Sequence, residues 1–426
     1  MKKYKILGFT VWRYERTPAS THITLLKIFH IRYRHQFLLN TDQFQKKVLS
    51  KNGKLRLLFD HSLGGGTEVY TNDYLSKIKD SILCLRAQYI FQEQKYSLKM
   101  NSPKHEFQMI EKSWVPFLCL LKKFAFDEII VNNLAGYPDP LTLLEGVKEI
   151  KNPRTKVSFR GHDFYAICPS TFLLNDRNTF CNLPEHEICI HCYHSLVKED
   201  LNIIPLSRTS DINLWRKKWK LFFQETLDEM IVFSESGKEL FLKAFPLLAN
   251  KIKVVPHTIL PLKKVVISRH EEINIVVLGN ILRVHKGCDI INQMACLLQD
   301  RVDVRIIIIG NLKTTGYPIT IKCSGSYQRA ELPALVEKEM ADIIFIPSIC
   351  PETFSYTAAE GMSMGLPVAC FNIGAPAERI IKYDKGLVIN KIDAEYALNA
   401  IIHFIQEKRN GNSCYHSKHE NTGQPY

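Results

Sequence analysis

From residue 54 onward, short apolar runs alternate with longer amphipathic stretches. Residues 55–59 predict a strand, which runs straight into the turn His61-Ser62-Leu63-Gly64-Gly65-Gly66-Thr67 and a helix over 68–79. Short apolar segments follow at 82–85 and 96–100. A helix is predicted at 114–124, a strand at 128–131, a helix at 140–150 and a strand at 156–159. Residues 163–203 form an insertion-like loop rich in Cys, His and Pro. Trp215 and Trp219 then share one helix face. A strand at 230–233, a helix at 234–244 capped by Ser234 or Ser236, and a strand at 251–255 ended by Pro256 complete this half.

Residues 258–271 have the polar, breaker-containing character of a linker. The alternation then restarts, with strands at 273–278, 304–309, 319–322, 343–346, 367–371 and 387–389. Helices are predicted at 288–299, 330–340, 354–364 and 395–408. Strands alternating with helices predict parallel sheets covered on both faces. The fold class is therefore α/β, with two doubly wound, Rossmann-like domains at 54–257 and 272–408 and a cleft between them. Residues 1–53 stand outside this pattern as an N-terminal extension, and 409–426 as a polar tail.

Composition narrows the class. The 426 residues suit two domains, and 46% hydrophobic with 23% charged residues excludes a disordered chain. No apolar run reaches 18 residues, which argues against a transmembrane helix, and no signal-peptide pattern is read at the N-terminus. Net charge is +13, but residues 1–53 alone carry eleven Lys or Arg against two acids, Glu15 and Asp42. Such a segment seeks phosphates. No nucleic-acid-binding motif accompanies it, and its charges are interleaved with aromatic and aliphatic residues such as Phe9, Trp12 and Tyr33. The expected partner is thus an anionic membrane surface and not nucleic acid, with each basic side chain contributing about 1 kcal/mol. Cys84, Cys119, Cys296, Cys350 and Cys370 stand singly in apolar contexts, as free thiols in a reducing compartment do.

The densest chemistry lies in Pro347-Ser348-Ile349-Cys350-Pro351-Glu352-Thr353-Phe354-Ser355, which continues to Glu360 and Gly365-Leu366-Pro367. A strand ends at Pro347, a loop delivers Glu352, and a helix starts near Phe354 or Ser355. The free N–H groups of a helix N-terminus favour a phosphate. Glu352 would repel that phosphate and suits polyol hydroxyls; Glu360, one to two turns on, suits a second diol such as a ribose. Two acids flanking an anion site describe a sugar–diphosphate–nucleoside ligand. N-capping charge and a solvated helix face are the bland alternative, and the Pro-rich loop with Gly365-Leu366-Pro367 weighs against it.

The Glu-x7-Glu segment, continued by Phe371-Asn372-Ile373-Gly374-Ala375-Pro376-Ala377-Glu378-Arg379, resembles the retaining GT-B glycosyltransferases of family 4. Within them it is similar to bacterial members that build O-antigen, rhamnan and related surface polysaccharides, and the resemblance covers about residues 54–405. It implies that Glu352 contacts the donor sugar, Glu360 the ribose, and the backbone at Phe354 and Ser355 the diphosphate. Gly64, Gly65 and Gly66 resemble the family's N-domain loop near donor and acceptor. Leu278-Gly279-Asn280, running on to Arg283, His285, Lys286 and Gly287, resembles its first nucleotide-domain loop, with Lys286 on the leaving diphosphate. Asn280 stands where many members carry an arginine, and Arg283 is a substitute within the loop. Arg160-Gly161-His162-Asp163-Phe164-Tyr165 resembles the segment whose histidine touches the transferred sugar, with Asp163 orienting the imidazole or binding acceptor. Asn132 and Asn133 stand where histidines are common.

On this resemblance His162, Lys286 and Glu352 are the catalytic candidates, and Gly374 and Asp163 join the cleft. The reaction implied is transfer, with retention, from a nucleotide-diphosphate-sugar to a lipid-linked or lipopolysaccharide glycan at the cytoplasmic face of a bacterial inner membrane. The start Met1-Lys2-Lys3-Tyr4-Lys5 resembles leaders on some polysaccharide enzymes. No Asp-x-Asp occurs, and the family works without a catalytic metal. Cys181-x7-Cys189-x2-Cys192, with a fourth ligand from His194 or Cys168, has spacing that suits a structural zinc; free thiols in a loop are the favoured alternative. Two other functions stay open. One is another GT-B enzyme such as a nucleotide-sugar 2-epimerase; the other is a non-catalytic glycan-assembly partner, for which Asn280, Asn132 and Asn133 speak.

Overall fold

Each run of alternating elements builds its own sheet. The computed structural model describes residues 2–6, 9–16, 20–25, 29–79, 81–101, 105–198, 211–314 and 321–411, with backbone alone for those before 37 and for 101, 105, 197 and 198. The chain divides into two compact units, one of Met1–Arg177 with Cys181–His257 and one of Thr258–Tyr426 with Asn178–Phe180. No described helix is long and apolar enough to cross a membrane.

The first unit runs β1 (Lys2–Ile6), β2 (Phe9–Arg16), β3 (Ser20–Leu25), β4 (Phe29–Leu38), α1 (Thr41–Leu49), β5 (Lys54–Asp60), α2 (Gly66–Ser76), β6 (Ile82–Ile90), β7 (Lys95–Asn101), β8 (His105–Glu111) and α3 (Trp114–Leu121). It continues through β9 (Glu128–Val131), α4 (Pro140–Ile150), β10 (Lys156–Arg160), α5 (His186–Lys198), α6 (Ile212–Glu225), β11 (Glu229–Val232), α7 (Glu235–Ala244) and β12 (Ile252–Val254). The sheet order is β1-β2-β3-β4-β8-β7-β6-β5-β9-β10-β11-β12. β6, β5, β9, β10, β11 and β12 are mutually parallel, as alternation predicts. Leu57, Leu58 and Phe59 are buried in succession, as befits a strand covered on both faces. Trp215 and Trp219 are buried together on α6, and Trp215 Nε1 donates to the Tyr165 carbonyl at 2.9 Å.

Three expectations for this unit are corrected. The segments at 82–85 and 96–100 are antiparallel neighbours, and β8, not predicted, pairs antiparallel with β7. The links between these strands, at 91–94 and 102–104, are too short for the crossover that parallel pairing needs. Nor do residues 1–53 stand apart as an extension. Asn40 caps α1 in a capping box with Gln43, Phe44 and Val48 are buried, and β4 pairs parallel with β8. Finally, the 163–203 stretch contains α5, anchored by buried Tyr193 and Leu196. The membrane contacts expected of the basic side chains before residue 37, and the polar tail beyond 411, lie outside what is described.

The second unit runs β13 (Ile273–Ile281), α8 (Cys288–Leu297), β14 (Val304–Leu312), β15 (Lys322–Cys323), α9 (Leu332–Lys338), β16 (Ile343–Ile346), α10 (Tyr356–Ser363), β17 (Val368–Phe371), α11 (Gly374–Ile380), β18 (Gly386–Ile389) and α12 (Ala394–Arg409). Its sheet is parallel, in the order β15-β14-β13-β16-β17-β18. Val276, Leu278, Ile307, Ile309, Ile344 and Ile346 form one core with Ala358 and Met364. The first half of the strand expected at 319–322 lies outside the described residues, and β15 covers its end. In both sheets the strand order reverses beside the first strand of the parallel run, between β5 and β9 and between β13 and β16. Ligands of doubly wound sheets bind at the carboxyl ends beside such a reversal.

Candidate functional site

At the reversal in the second unit, two loops meet. The β13 loop turns through Val284–Lys286, and Gly287, at φ +80°, starts α8. A Cβ on Gly287 would lie 2.0 Å from the Pro347 carbonyl oxygen, so only glycine lets this loop rest on the end of β16. The contact brings Lys286 to Glu352, with Nζ 2.5 Å from Oε1. Ser348 Oγ donates to the same oxygen at 2.6 Å. Burial pushes the Glu352 carboxyl up, but the Lys286 charge and hydrogen bonds from Lys286, Ser348 and Ser355 outweigh it and hold it down to about 2. Burial works against the Lys286 ammonium too, and Glu352 turns the net shift upward.

Glu352 is seated from behind by Gly374, at φ +65°. Its added Cβ would meet Pro351 Cα at 2.7 Å and Glu352 N at 2.8 Å, and Ala375 N donates to Glu352 O. The helix expected after Phe354 or Ser355 is α10, with Ser355 as its N-cap. Ser355 adopts φ +67°, a conformation that costs a non-glycine residue on the order of 1–3 kcal/mol and tends to persist at functional sites. Arg379 steadies it, its Nη1 donating to the carbonyls of Phe354 and Ser355 at 3.2 and 3.4 Å while its guanidinium lies over the Phe354 ring. A Cβ on Gly279 would lie 3.6 Å from Thr357 Cγ2, so the end of β13 faces the first turn of α10.

Glu360 is buried in α10 and takes Arg329 Nε on its Oε1 at 2.9 Å, while Arg329 Nη2 holds the Leu260 carbonyl at 2.6 Å. Burial raises the Glu360 carboxyl, and Arg329 opposes it. Sequence reasoning assigned no role to Arg329 or Arg379. Arg329 has no local signal, since its partner is 31 residues away, whereas Arg379 sat at the end of the recognised segment. Arg283 is exposed in the β13 loop. Asn280 is engaged by Asn311 Nδ2 at 2.8 Å, across the β13–β14 register.

At the reversal in the first unit, Gly64 and Gly65 turn at φ +79° and +80° between β5 and α2, and Gly66 opens the helix. His162 follows β10, and its Nε2 lies 3.0 Å from Asn132 Oδ1 at the end of β9. Tyr70, Phe233 and His257 pack against its ring. Burial, then His257, His61 and Arg160, keep the imidazole well below its ordinary pKa and hence neutral. The Asp163 carboxylate accepts from Asn133 Nδ2 at 2.8 Å and Tyr165 N at 2.9 Å, and burial raises its pKa. The two asparagines thus occupy His162 and Asp163 one apiece.

The zinc set is not assembled: among the described residues no three or more His, Cys, Asp or Glu side chains could hold a metal ion. Arg216, pinned by the Ile167 carbonyl, places Nη2 3.3 Å from Cys189 Sγ, and a guanidinium there opposes a metal cation. Burial pushes the Cys181 and Cys192 thiols up to about 11, away from the thiolate that binds metal. His194 is exposed.

Residues 261–420 match the family described as Glycosyl transferases group 1. No curated protein matches the chain. The fold is similar to that of HepE from Anabaena in complex with UDP, with a TM-score of 0.55 and 14% identity over 84% of this chain and 92% of that one. It is similar to sucrose-phosphate synthase from Thermosynechococcus elongatus, with a TM-score of 0.53 and 13% identity over 84% and 92%. The lipopolysaccharide outer core galactosyltransferase WaaB, in its apo form, gives 0.51 and 12% over 85% and 92%. The fold is that of the GT-B glycosyltransferases.

Proposed function

We propose that the protein is a retaining glycosyltransferase that moves a sugar from a nucleotide-diphosphate-sugar to a growing, lipid-linked bacterial surface glycan. The observation that carries this reading is the grouping around the start of α10. A cation with a 40% exposed side chain, Lys286, stands beside Glu352, and Glu360 lies deeper in the same helix. All three fall within the span that matches group 1 glycosyl transferases. HepE, bound to UDP, and WaaB, a lipopolysaccharide galactosyltransferase, support the donor class and the acceptor class respectively.

In this reading Lys286 and the N–H groups at Phe354 and Ser355 take up the charge of the departing diphosphate, the main source of acceleration. Glu352 accepts from sugar hydroxyls and Glu360 from the ribose. The bond from the anomeric carbon to phosphate oxygen breaks, and a bond to the acceptor oxygen forms on the same face. The acceptor's proton goes to the released phosphate oxygen. His162, Asp163 and the Gly64–Gly66 turn serve the sugar and acceptor. The basic residues of 1–53 dock on anionic lipid at the cytoplasmic face of the inner membrane.

A thermal-shift screen of the purified protein against UDP-, GDP-, dTDP- and CMP-sugars, with and without chelator, tests the reading. A donor that binds the native state raises its melting temperature. One nucleotide class should do so, indifferent to chelator, and the shift should vanish in Glu360→Ala. A folded sample that responds to none of them would point instead to a non-catalytic partner in glycan assembly.

A further inference from the structure

Asn132 is 1% exposed, and its side chain has little freedom in how it bonds. Nδ2 lies 3.0 Å from Asp60 Oδ1 and 3.1 Å from Thr71 Oγ1, and Oδ1 lies 3.0 Å from His162 Nε2. Asp60 has no exposed surface. Its Oδ2 receives Arg86 Nε at 3.0 Å and Nη2 at 2.7 Å, and its Oδ1 receives His61 N at 3.0 Å. Bound to a guanidinium in this way, Asp60 is a carboxylate, and a carboxylate only accepts. The Asn132 amide must therefore turn its NH2 toward Asp60. Flipped, it would set a carbonyl oxygen 3.0 Å from a carboxylate oxygen and leave a buried acceptor without its donor. With Asp60 and Thr71 taking the amide hydrogens, Asn132 offers His162 a carbonyl. The ring nitrogen opposite a carbonyl has to donate.

We infer that Asp60, acting through Asn132, locks His162 in the tautomer protonated on Nε2, which makes Nδ1 the acceptor nitrogen of the ring. The imidazole is neutral and so carries one ring proton, and the Arg86–Asp60–Asn132 chain determines where it sits. The Tyr70, Phe233 and His257 rings, at centroid distances of 4.7, 4.6 and 5.6 Å, keep the imidazole from turning over. Asp60 and Asn132 are positioning residues. The use of the device rests on the proposed function: a sugar hydroxyl meeting Nδ1 has to donate, so the site accepts one hydroxyl orientation and refuses the other. It also explains an asparagine at this position, since its two ends differ and cannot be exchanged next to a fixed carboxylate.

Long-range proton–nitrogen correlation spectra of the full chain, carrying isotope-labelled histidine, read the tautomer directly. The His162 signals are those missing from His162→Gln. At neutral pH they should show a protonated Nε2 and a bare Nδ1, and a protonated Nδ1 would overturn the inference. In Asn132→Leu, of similar volume and without polar groups, the preference should fall to a mixture of both tautomers. Undiminished preference for Nε2–H there would show that Asn132 does not set it. Should that variant fail to fold, Asn132→Asp keeps the shape: 3.0 Å from the Asp60 carboxylate, its side chain takes up a proton, donates it to Asp60 and still turns a carbonyl oxygen to His162. It should retain the Nε2 proton, and a protonated Nδ1 there overturns the inference. No donor or acceptor enters these spectra. A protein that shows the locked tautomer but transfers no sugar removes the proposed function and leaves the tautomer standing.

Discussion

In the first unit the Asp60 carboxylate draws its cation inside; in the second, Glu352 and Glu360 hold theirs at the surface. The acids are alike, with side chains 0%, 11% and 10% exposed. Their partners are not: Arg86 is 13% exposed, Lys286 40% and Arg329 38%. A pair with both charges buried meets no ligand charge itself and acts only through the groups it orients. A pair whose cation remains in contact with solvent leaves that charge available to an arriving anion, with the acid neutralising it meanwhile. The surroundings agree. Asp60 presents a neutral face of Asn132 and His162 suited to hydroxyls, whereas Lys286 stands beside Glu352 in the loop that leads into α10, suited to a diphosphate.

The comparison breaks most visibly at Asp60. Asp60→Ala strands Arg86 and one amide hydrogen of Asn132, and should reduce the unfolding free energy of the first unit by about 3–5 kcal/mol. Urea unfolding measures this, and a loss near that of an exposed pair would erase the distinction between the units. Lys286→Ala should show in turnover first. Part of its side chain meets solvent, but the Glu352 carboxylate is left without its cation, so stability should fall by less than at Asp60, about 1–3 kcal/mol. Sugar transfer should fall by about a hundredfold to a thousandfold, as when a donor to a developing oxyanion is removed. A large stability loss with unaltered turnover would make Lys286 structural.

Acid sharpens the contrast further. Glu352 is held at about 2 against an ordinary carboxyl value of 4.5. A depressed carboxyl stabilises the fold fully above its unfolded value, and that contribution disappears as pH falls through the folded value. The stability difference between the natural protein and Glu352→Gln should therefore be flat above about pH 4.5 and shrink to nothing toward about pH 2. A difference already changing near neutrality would mean that Lys286 is not the partner that sets it.

The same contrast governs what could be read from the sequence. Glu352, Phe354, Ser355 and Glu360 lie on one strand–loop–helix segment, so their spacing alone placed them together. Lys286 was legible through the resemblance of its loop, Leu278 to Gly287, to the first nucleotide-domain loop of the glycosyltransferases. The first unit offered no such shortcut. Asp60, Arg86, Asn132 and His162 come from four separate strands or the residues just after them, and Asn132 is 72 residues from Asp60 and 30 from His162. Periodicity could locate those strands but not which side chains would touch, and so His162 was found while the groups that orient it were not. The parallel strands were legible from alternation. β8 was missed because its apolar positions, Phe107, Met109 and Ile110, are interrupted by polar ones that are themselves partly or wholly buried. The zinc set left open beside free thiols is not assembled among the described residues, and Cys-x2-Cys spacing says nothing of Arg216, which arrives from another helix.

Arg329 poses the smallest and most discriminating test, because it acts on an acid that burial already raises. Burial alone favours protonated Glu360, and the Arg329 charge opposes this. Removing that charge must raise the Glu360 pKa further, so the carboxylate that would accept from the ribose is lost at a higher pH. Donor affinity in Arg329→Ala should therefore fall about threefold to tenfold near neutrality, roughly 1 kcal/mol. The gap to the natural protein should narrow as pH rises and Glu360 ionises again. Arg329→Lys, which keeps the charge but gives up the fork between Glu360 and the Leu260 carbonyl, should recover most of the loss. Calorimetric titration of donor across the range decides it. Curves that run parallel at every pH would mean that Arg329 meets the ligand itself and does not act through Glu360.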